Sequence, residues 1–254
     1  MGKAILKAWL KTSDLKKITV IQPSLSSRAL FANHPQVTFY AHARLVPPDV
    51  KPDALVLAFK PQQLSEAMEQ LRPLFPSRLL VSLLAGTPVS VLRDYAGNET
   101  QCARLMPNVG VQIGQGASLV YWPGGQSAPE RRDLESLFGG TGKLYFVSSE
   151  KLLDSLTVIS GCGPAYFYLL AELLTKIATD LGLDQTNAHA LVQQTLLGSA
   201  LITNTHDPFS HLISTVASKG GVTEAALSEL KPGLTESLAQ AVKAALQRLL
   251  ELQT

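Results

Sequence analysis

The sequence predicts a doubly wound α/β domain followed by an all-α domain, and three observations carry that prediction. In the first half, short apolar runs end at Gly, Pro or Asn and alternate with helical segments. Such alternation implies right-handed βαβ crossovers and a mostly parallel sheet. In the second half, long Ala- and Leu-rich segments keep helical spacing with almost no strand character. Between them lies a small-residue turn, Ser160-Gly161-Cys162-Gly163-Pro164, whose proline suits the first turn of a helix. The domains are therefore expected at residues 1–150 and 151–254, with a ligand site where they meet.

Elements follow in order. Residues 1–10 form a helix, with Ala4, Ile5, Ala8 and Trp9 on one stripe and Lys3, Lys7 and Lys11 opposite. Strands are expected at 18–21, 37–40, 54–59, 79–84, 104–106, 117–121 and 145–147, and helices at 24–33, 64–74 and 130–138. The unbroken apolar run 54–59 suggests a strand buried on both faces. The Gly139-Gly140-Thr141-Gly142 stretch follows a helix and is expected to be a C-cap and loop. A helix over 152–181 breaks or restarts near 160–164. Gly182 and Asp184 then close one helix and cap the next. Residues 188–203 are apolar nearly all round, which suggests burial on most sides, against a second subunit. Asp207-Pro208 opens another helix, and a turn at Pro232-Gly233 precedes a terminal one over 234–252.

Composition narrows the function. The 254 residues are 46% hydrophobic and 17% charged, with a net charge of +2, which gives no reason to expect nucleic acid or a membrane surface as a partner. The longest apolar runs, such as 79–85, fall far short of the ~18 residues of a membrane span. The N-terminus lacks the pattern of a signal peptide. Cys102 and Cys162 stand without CxxC or His-rich company, so metal binding is unsupported and a reducing, cytoplasmic setting is expected.

In a doubly wound fold, ligands sit beyond the carboxyl ends of the strands. Three such ends are polar: Ala58-Phe59-Lys60-Pro61-Gln62, Ser82-Leu83-Leu84-Ala85-Gly86 and Arg104-Leu105-Met106-Pro107-Asn108. After the strand 18–21, a dinucleotide fold that prefers NAD usually carries Asp or Glu for the ribose hydroxyls. This chain has Gln22, Pro23, Ser24, Ser26, Ser27 and Arg28 instead. Hydroxyls and a guanidinium suit a 2′-phosphate, so NADPH is expected, with NADH as the alternative. A glycine fingerprint needs a strand, two glycines and a third glycine inside the helix. Only Met1-Gly2 before a helix is present, and Gly2 could be the third glycine. In the second half, Val216-Ala217-Ser218-Lys219-Gly220-Gly221-Val222-Thr223 precedes a new helix. Free N–H groups at such a helix start make a ready carboxylate site; an ordinary helix–helix turn capped by Thr223 is the other reading.

Taken together, AFKPQ (58–62), Ser82 with Ala85-Gly86, RLMPN (104–108), SGCGPAY (160–166) and VASKGGVT (216–223) resemble pyrroline-5-carboxylate reductase across essentially the whole chain. The resemblance implies a Rossmann-like domain and a helical dimerisation domain, working as a homodimer or higher homo-oligomer. It implies reduction of 1-pyrroline-5-carboxylate to L-proline by NADPH or NADH, the last step of proline biosynthesis. It puts Lys60 and Pro61 on the nicotinamide-ribose side, Ala58, Ala85 and Gly86 along the cofactor, and Asn108 near the reacting ring. Gly220, Gly221, Val222 and Thr223 would hold the substrate, with Ser218 supporting the loop and the Thr223 hydroxyl reaching the ring nitrogen.

Three departures from the family pattern stand out. Cys162 replaces a usual Ser, and Lys219 a usual Pro. The family begins with a strand and a glycine loop, whereas this chain begins at their closing Met-Gly. The first strand is therefore expected to be missing, leaving two strands with unpaired edges. An upstream start or a decaying copy is the expected cause, so the alternative function is a relic that has lost dinucleotide binding. A lysine-dependent 3-hydroxyacid dehydrogenase is discounted, because the position four residues beyond Gly163 is Phe167.

Overall fold

The computed structural model describes residues 1–254 apart from 13–14, 25–28, 30, 32, 125–127, 204–206 and 252–254. Two units result: Met1–Gly161 with Leu249–Thr254, and Cys162–Arg248. The helix expected at 24–33 falls largely outside the described residues, as does Arg28.

The first unit opens with α1 (Gly2–Thr12), followed by strands β1 (Ile18–Ile21) and β2 (Val37–Tyr40). These two pair parallel, Ile18 opposite Val37, as a sheet of their own. The remaining strands are β3 (Ala54–Leu57), β4 (Leu79–Ser82), β5 (Gln101–Met106), β6 (Gly116–Tyr121) and β7 (Gly142–Phe146). They form a five-stranded sheet in chain order, parallel except for the antiparallel pair β5–β6. Helices α2 (Leu64–Leu71), α3 (Val89–Ala96) and α4 (Ala128–Phe138) connect them. Among the described residues no strand lies between β1 and β3, so each pairs on one side only.

That division explains one correction. The run 54–59 is neither as long nor as buried as its composition suggests: β3 ends at Leu57, its one fully buried residue. As the end strand of its sheet, β3 has a neighbour on one side. The strand buried along its whole length is β4, every residue of which is inside. Helix α1 bridges the two sheets. Ile5 packs with β4, β5 and β6, Leu6 packs with Ile18, and Trp9 touches both groups. The Trp9 ring also lies 6.1 Å from that of Phe138, and its indole N–H donates to the Leu137 carbonyl.

Pattern reading missed α3, although Val89, Leu92 and Ala96 bury one face at helical spacing and Pro88 precedes it. The segment 64–74 continues past α2 only as a tight turn, Arg72–Leu74, where Pro73 denies the α-helix an amide. Beyond β7 the chain is wholly helical: α5 (Glu150–Ser160), α6 (Gly163–Asp180), α7 (Gln185–Ile202), α8 (Phe209–Val216) and α9 (Val222–Glu251). The expected break near 160–164 separates α5 from α6. The expected turn at Pro232-Gly233 is absent, since Pro232 lies inside α9. A proline removes one amide, here the partner of the Ser228 carbonyl, and the thirty-residue ladder continues on both sides.

In the single chain α7 is not buried: of its side chains only Ala188 is inside. Phe167, Tyr168, Leu169, Leu173 and Ile177 of α6 are likewise exposed. Glu150–Asp180 is long and apolar enough, by composition alone, to cross a membrane, although the apolar runs in the sequence are short. The exposed apolar side chains of α6 contribute much of that composition.

Helix α7 starts on Asp184, whose carboxylate accepts from the Asn187 amide at 3.1 Å and from its side-chain nitrogen at 2.5 Å. Those bonds hold the Asp184 carboxyl below its ordinary range. A carboxyl depressed on folding contributes stability above its unfolded pKa and loses it as pH falls through the folded value. The difference in thermal midpoint between wild type and Asp184→Asn is therefore expected to shrink from pH 7 to pH 3. A pH-independent difference would sink the assignment.

Candidate functional site

In the first unit the carboxyl ends of β3, β4 and β5 form one rim. Gly2 opens α1 directly against it: a Cβ on Gly2 would stand 3.0 Å from that of Ala58, tighter than side chains normally pack. The small residue at each position lets the helix start meet the strand end. First-turn amides of a helix have no acceptor within it, and the dipole there favours anions. Beside Ala58 the chain turns at Lys60-Pro61, the Lys60 amide donating to the Gln63 side chain at 3.2 Å. Ala58, Lys60 and Pro61 are all exposed.

At the end of β4 the buried Ser82 hydroxyl accepts from the Leu84 amide at 3.2 Å, which turns the chain outward. Ala85 is exposed, and Gly86 takes a φ of 72°. At the end of β1, Ser24 is exposed with its amide on the Gln22 side chain at 3.3 Å, while the Gln22 amide donates to Tyr40. Gly2, Ala58, Lys60, Pro61, Ala85 and Gly86 thus all belong to strand or helix ends of one unit, with Ser24 on the separate β1–β2 ribbon.

Asn108, expected near the reacting ring, is held by three hydrogen bonds. Its Oδ1 accepts from the amides of Gly110 at 3.0 Å and Ala117 at 3.3 Å, and its Nδ2 donates to the Ser160 carbonyl at 3.0 Å. Arg104, four residues earlier, is 1% exposed and pairs with Glu150 at 3.0 Å and Asp154 at 2.8 Å on α5. Glu150 also accepts from the Val89 amide at 2.9 Å, capping α3. Sequence reading placed Arg104 among the polar strand ends but missed these partners. The available signal was two carboxylates four residues apart, one turn into a helix capped by Ser149.

The second unit holds the glycine loop. Gly220 takes a φ of 73°, which an L side chain rarely adopts, and a Cβ on Gly221 would meet the Ser218 hydroxyl at 2.6 Å. The Gly221 amide donates to the Ser218 carbonyl at 2.9 Å. Helix α9 begins at Val222, two residues earlier than a Thr223 cap would give. Val222 is exposed and Thr223 half-buried in its first turn. The Gly220 amide donates to the Glu224 carboxylate at 2.6 Å. A carboxylate of the chain itself thus sits on the loop that was read as a carboxylate cradle, and sequence reading did not single out Glu224.

At the unit boundary, Cys162 is exposed and unpaired, and Pro164 lies in the first turn of α6. Burial, followed by the neighbouring Cys162 thiol, raises the Tyr166 hydroxyl above its ordinary value.

Comparison with known proteins points one way. Residues 150–252 match the family described as "Pyrroline-5-carboxylate reductase dimerisation", and residues 1–86 that described as "NADP oxidoreductase coenzyme F420-dependent". The pyrroline-5-carboxylate reductase of Haemophilus influenzae is 32% identical over 259 residues, covering 100% of this chain and 94% of its own. That of Pseudomonas aeruginosa is 36% identical over 204 residues, covering 79% and 74%. Among solved structures, a pyrroline-5-carboxylate reductase from Coxiella burnetii superposes with a TM-score of 0.90 at 29% identity, covering 100% of this chain and 95% of that one.

Proposed function

The chain belongs to the pyrroline-5-carboxylate reductase family, and on that premise we propose how its residues carry the reduction of 1-pyrroline-5-carboxylate to L-proline. The activity is an NAD(P)H-dependent reduction of a cyclic imine, the last step of proline biosynthesis. No finding favours the non-catalytic relic. The observation that carries the residue assignment is the Gly220 amide holding a carboxylate at the head of α9.

In this reading the substrate carboxylate takes the place of Glu224 on the Gly220 amide and accepts from the first-turn amides of α9, with Gly221 shaping the turn and Ser218 bracing it. The Thr223 hydroxyl orients the imine nitrogen. A protonated imine already carries the proton that nitrogen needs, so no strong general acid is required. NADPH, when bound, supplies the hydride. The start of α1 at Gly2 would take its pyrophosphate, Ser24 and Arg28 the 2′-phosphate, and Ala58, Lys60, Pro61, Ala85 and Gly86 would line the rest. Among the described residues these fit a dinucleotide: the side chain nearest Gly2 is only the methyl of Ala58, and the strand-end residues are small or exposed.

The substrate is a small molecule and the assembly a homo-oligomer; we propose a homodimer, supported by the exposed apolar side chains of α6, α7 and α8. No nucleic-acid or membrane partner belongs to the proposal. A cytoplasmic setting is proposed from two unpaired cysteines, of which Cys102 is buried and pushed up to about 11, chiefly by burial.

Titration with NADPH tests the reading. Quenching of Trp9 or Trp122 fluorescence, or a rise in thermal midpoint, is the expected outcome. At a hundredfold excess over Kd the stabilisation is about 2.7 kcal/mol. No response at millimolar cofactor would favour the relic.

A further inference from the structure

The hydrogen bonds of Asn108 give it a structural role in its loop. Ser160 ends α5, and its carbonyl would ordinarily accept from the amide four residues on. That residue is Pro164, which has no amide to give. Asn108 supplies the missing donor, its Nδ2 reaching the Ser160 carbonyl at 3.0 Å. Its Oδ1 meanwhile accepts from both Gly110 and Ala117, using both lone pairs of that oxygen. One side chain therefore closes the loop between β5 and β6 and fastens it to the last turn of α5. The same strand grips the start of α5 through Arg104, Glu150 and Asp154. Helix α5 is stitched to β5 at both ends, and the second stitch lies one residue before the chain leaves the first unit at Gly161.

We propose that Asn108 is a positioning residue for hydride transfer, holding the loop at the end of β5 through Ser160. The proposal rests on the reductase reading above. Displacements of about an ångström far from the chemistry can cost up to ~100-fold in rate, because hydride transfer needs a fixed approach distance and angle.

Two variants of the full-length protein separate the roles. Asn108→Asp keeps the acceptor for Gly110 and Ala117 but sets an oxygen against the Ser160 carbonyl. Asn108→Ala removes all three bonds. Steady-state kinetics, NADPH affinity by tryptophan fluorescence and thermal midpoint are measured for both. The expected result is a kcat reduced about tenfold in both variants, with the NADPH Kd of the Asp variant unchanged. Both variants should lose some stability, the Asp variant through the Ser160 contact alone and the Ala variant through all three bonds. An Asp variant with wild-type kcat would overturn the role, and so would a kcat loss matched by an equal weakening of NADPH binding. Wild-type protein inactive in the same assay would instead remove the reductase reading beneath it.

Discussion

Thr223→Ala is expected to lower kcat about 100-fold while leaving the fold and the cofactor affinity intact, a loss in the range of removing one positioned proton-handling or hydrogen-bonding group. The residue is half-buried in the first turn of a thirty-residue helix, so deleting its hydroxyl and methyl leaves the ladder of α9 in place. What is lost is the group proposed to orient the imine nitrogen. The effect should fall on kcat more than on KM, because the carboxylate is held by backbone amides that the substitution does not touch. Thr223→Ser, which keeps the hydroxyl, should recover most of the rate. Steady-state kinetics of the three proteins decide the matter: an Ala variant with wild-type kcat would strip Thr223 of its role.

The largest stability effect is expected at Arg104. With both Glu150 and Asp154 replaced by Ala, a guanidinium that is 1% exposed keeps its charge and loses both counter-charges. Leaving a buried charge uncompensated typically costs about 3–5 kcal/mol. Its Nε already lacks a hydrogen-bond partner, so the site has no spare acceptor to compensate. The reverse change should be milder. Arg104→Met fills similar volume with an apolar chain, and the two carboxylates, 29% and 20% exposed, can turn to water. Urea denaturation of the two variants tests this asymmetry, and equal losses would refute it. The carboxylate variant should also loosen the start of α3, since Glu150 caps Val89.

How far these features were legible in the sequence depends on how local their causes are. The strands 18–21 and 37–40 match their apolar runs to the residue, and the break before α6 is written in Gly161 and Pro164. The turns after β3, β4 and β5 were legible because Pro or Gly follows each run, although the runs 54–59 and 79–84 each overshoot their strand by two residues. Pro232-Gly233 misled because two helix-breaking residues outweigh one missing amide only when no long ladder surrounds them. The burial of β3 was overestimated because an apolar run says nothing about whether its neighbouring strand is present. Arg104 and Asn108 were visible as polar residues, but their partners on α5 lie 46 to 52 residues away, and nothing near either residue says which distant group it meets. Nor did the sequence point to Glu224 as the carboxylate on Gly220, a contact set by the turn that the φ of 73° creates.

Because β1 and β2 share no ladder with the other five strands, they can come apart without breaking a single hydrogen bond of the larger sheet. Their opening free energy is set by one four-residue register and by the packing of Leu6, Trp9 and Phe31, whereas β4 and β5 open only with the whole unit. The ribbon is thus a separate cooperative element, and the residues proposed to tell NADPH from NADH follow directly from its first strand. On the role proposed for Ser24, a cofactor that grips it stabilises the ribbon, and a change that frays the ribbon weakens the grip by the same free energy.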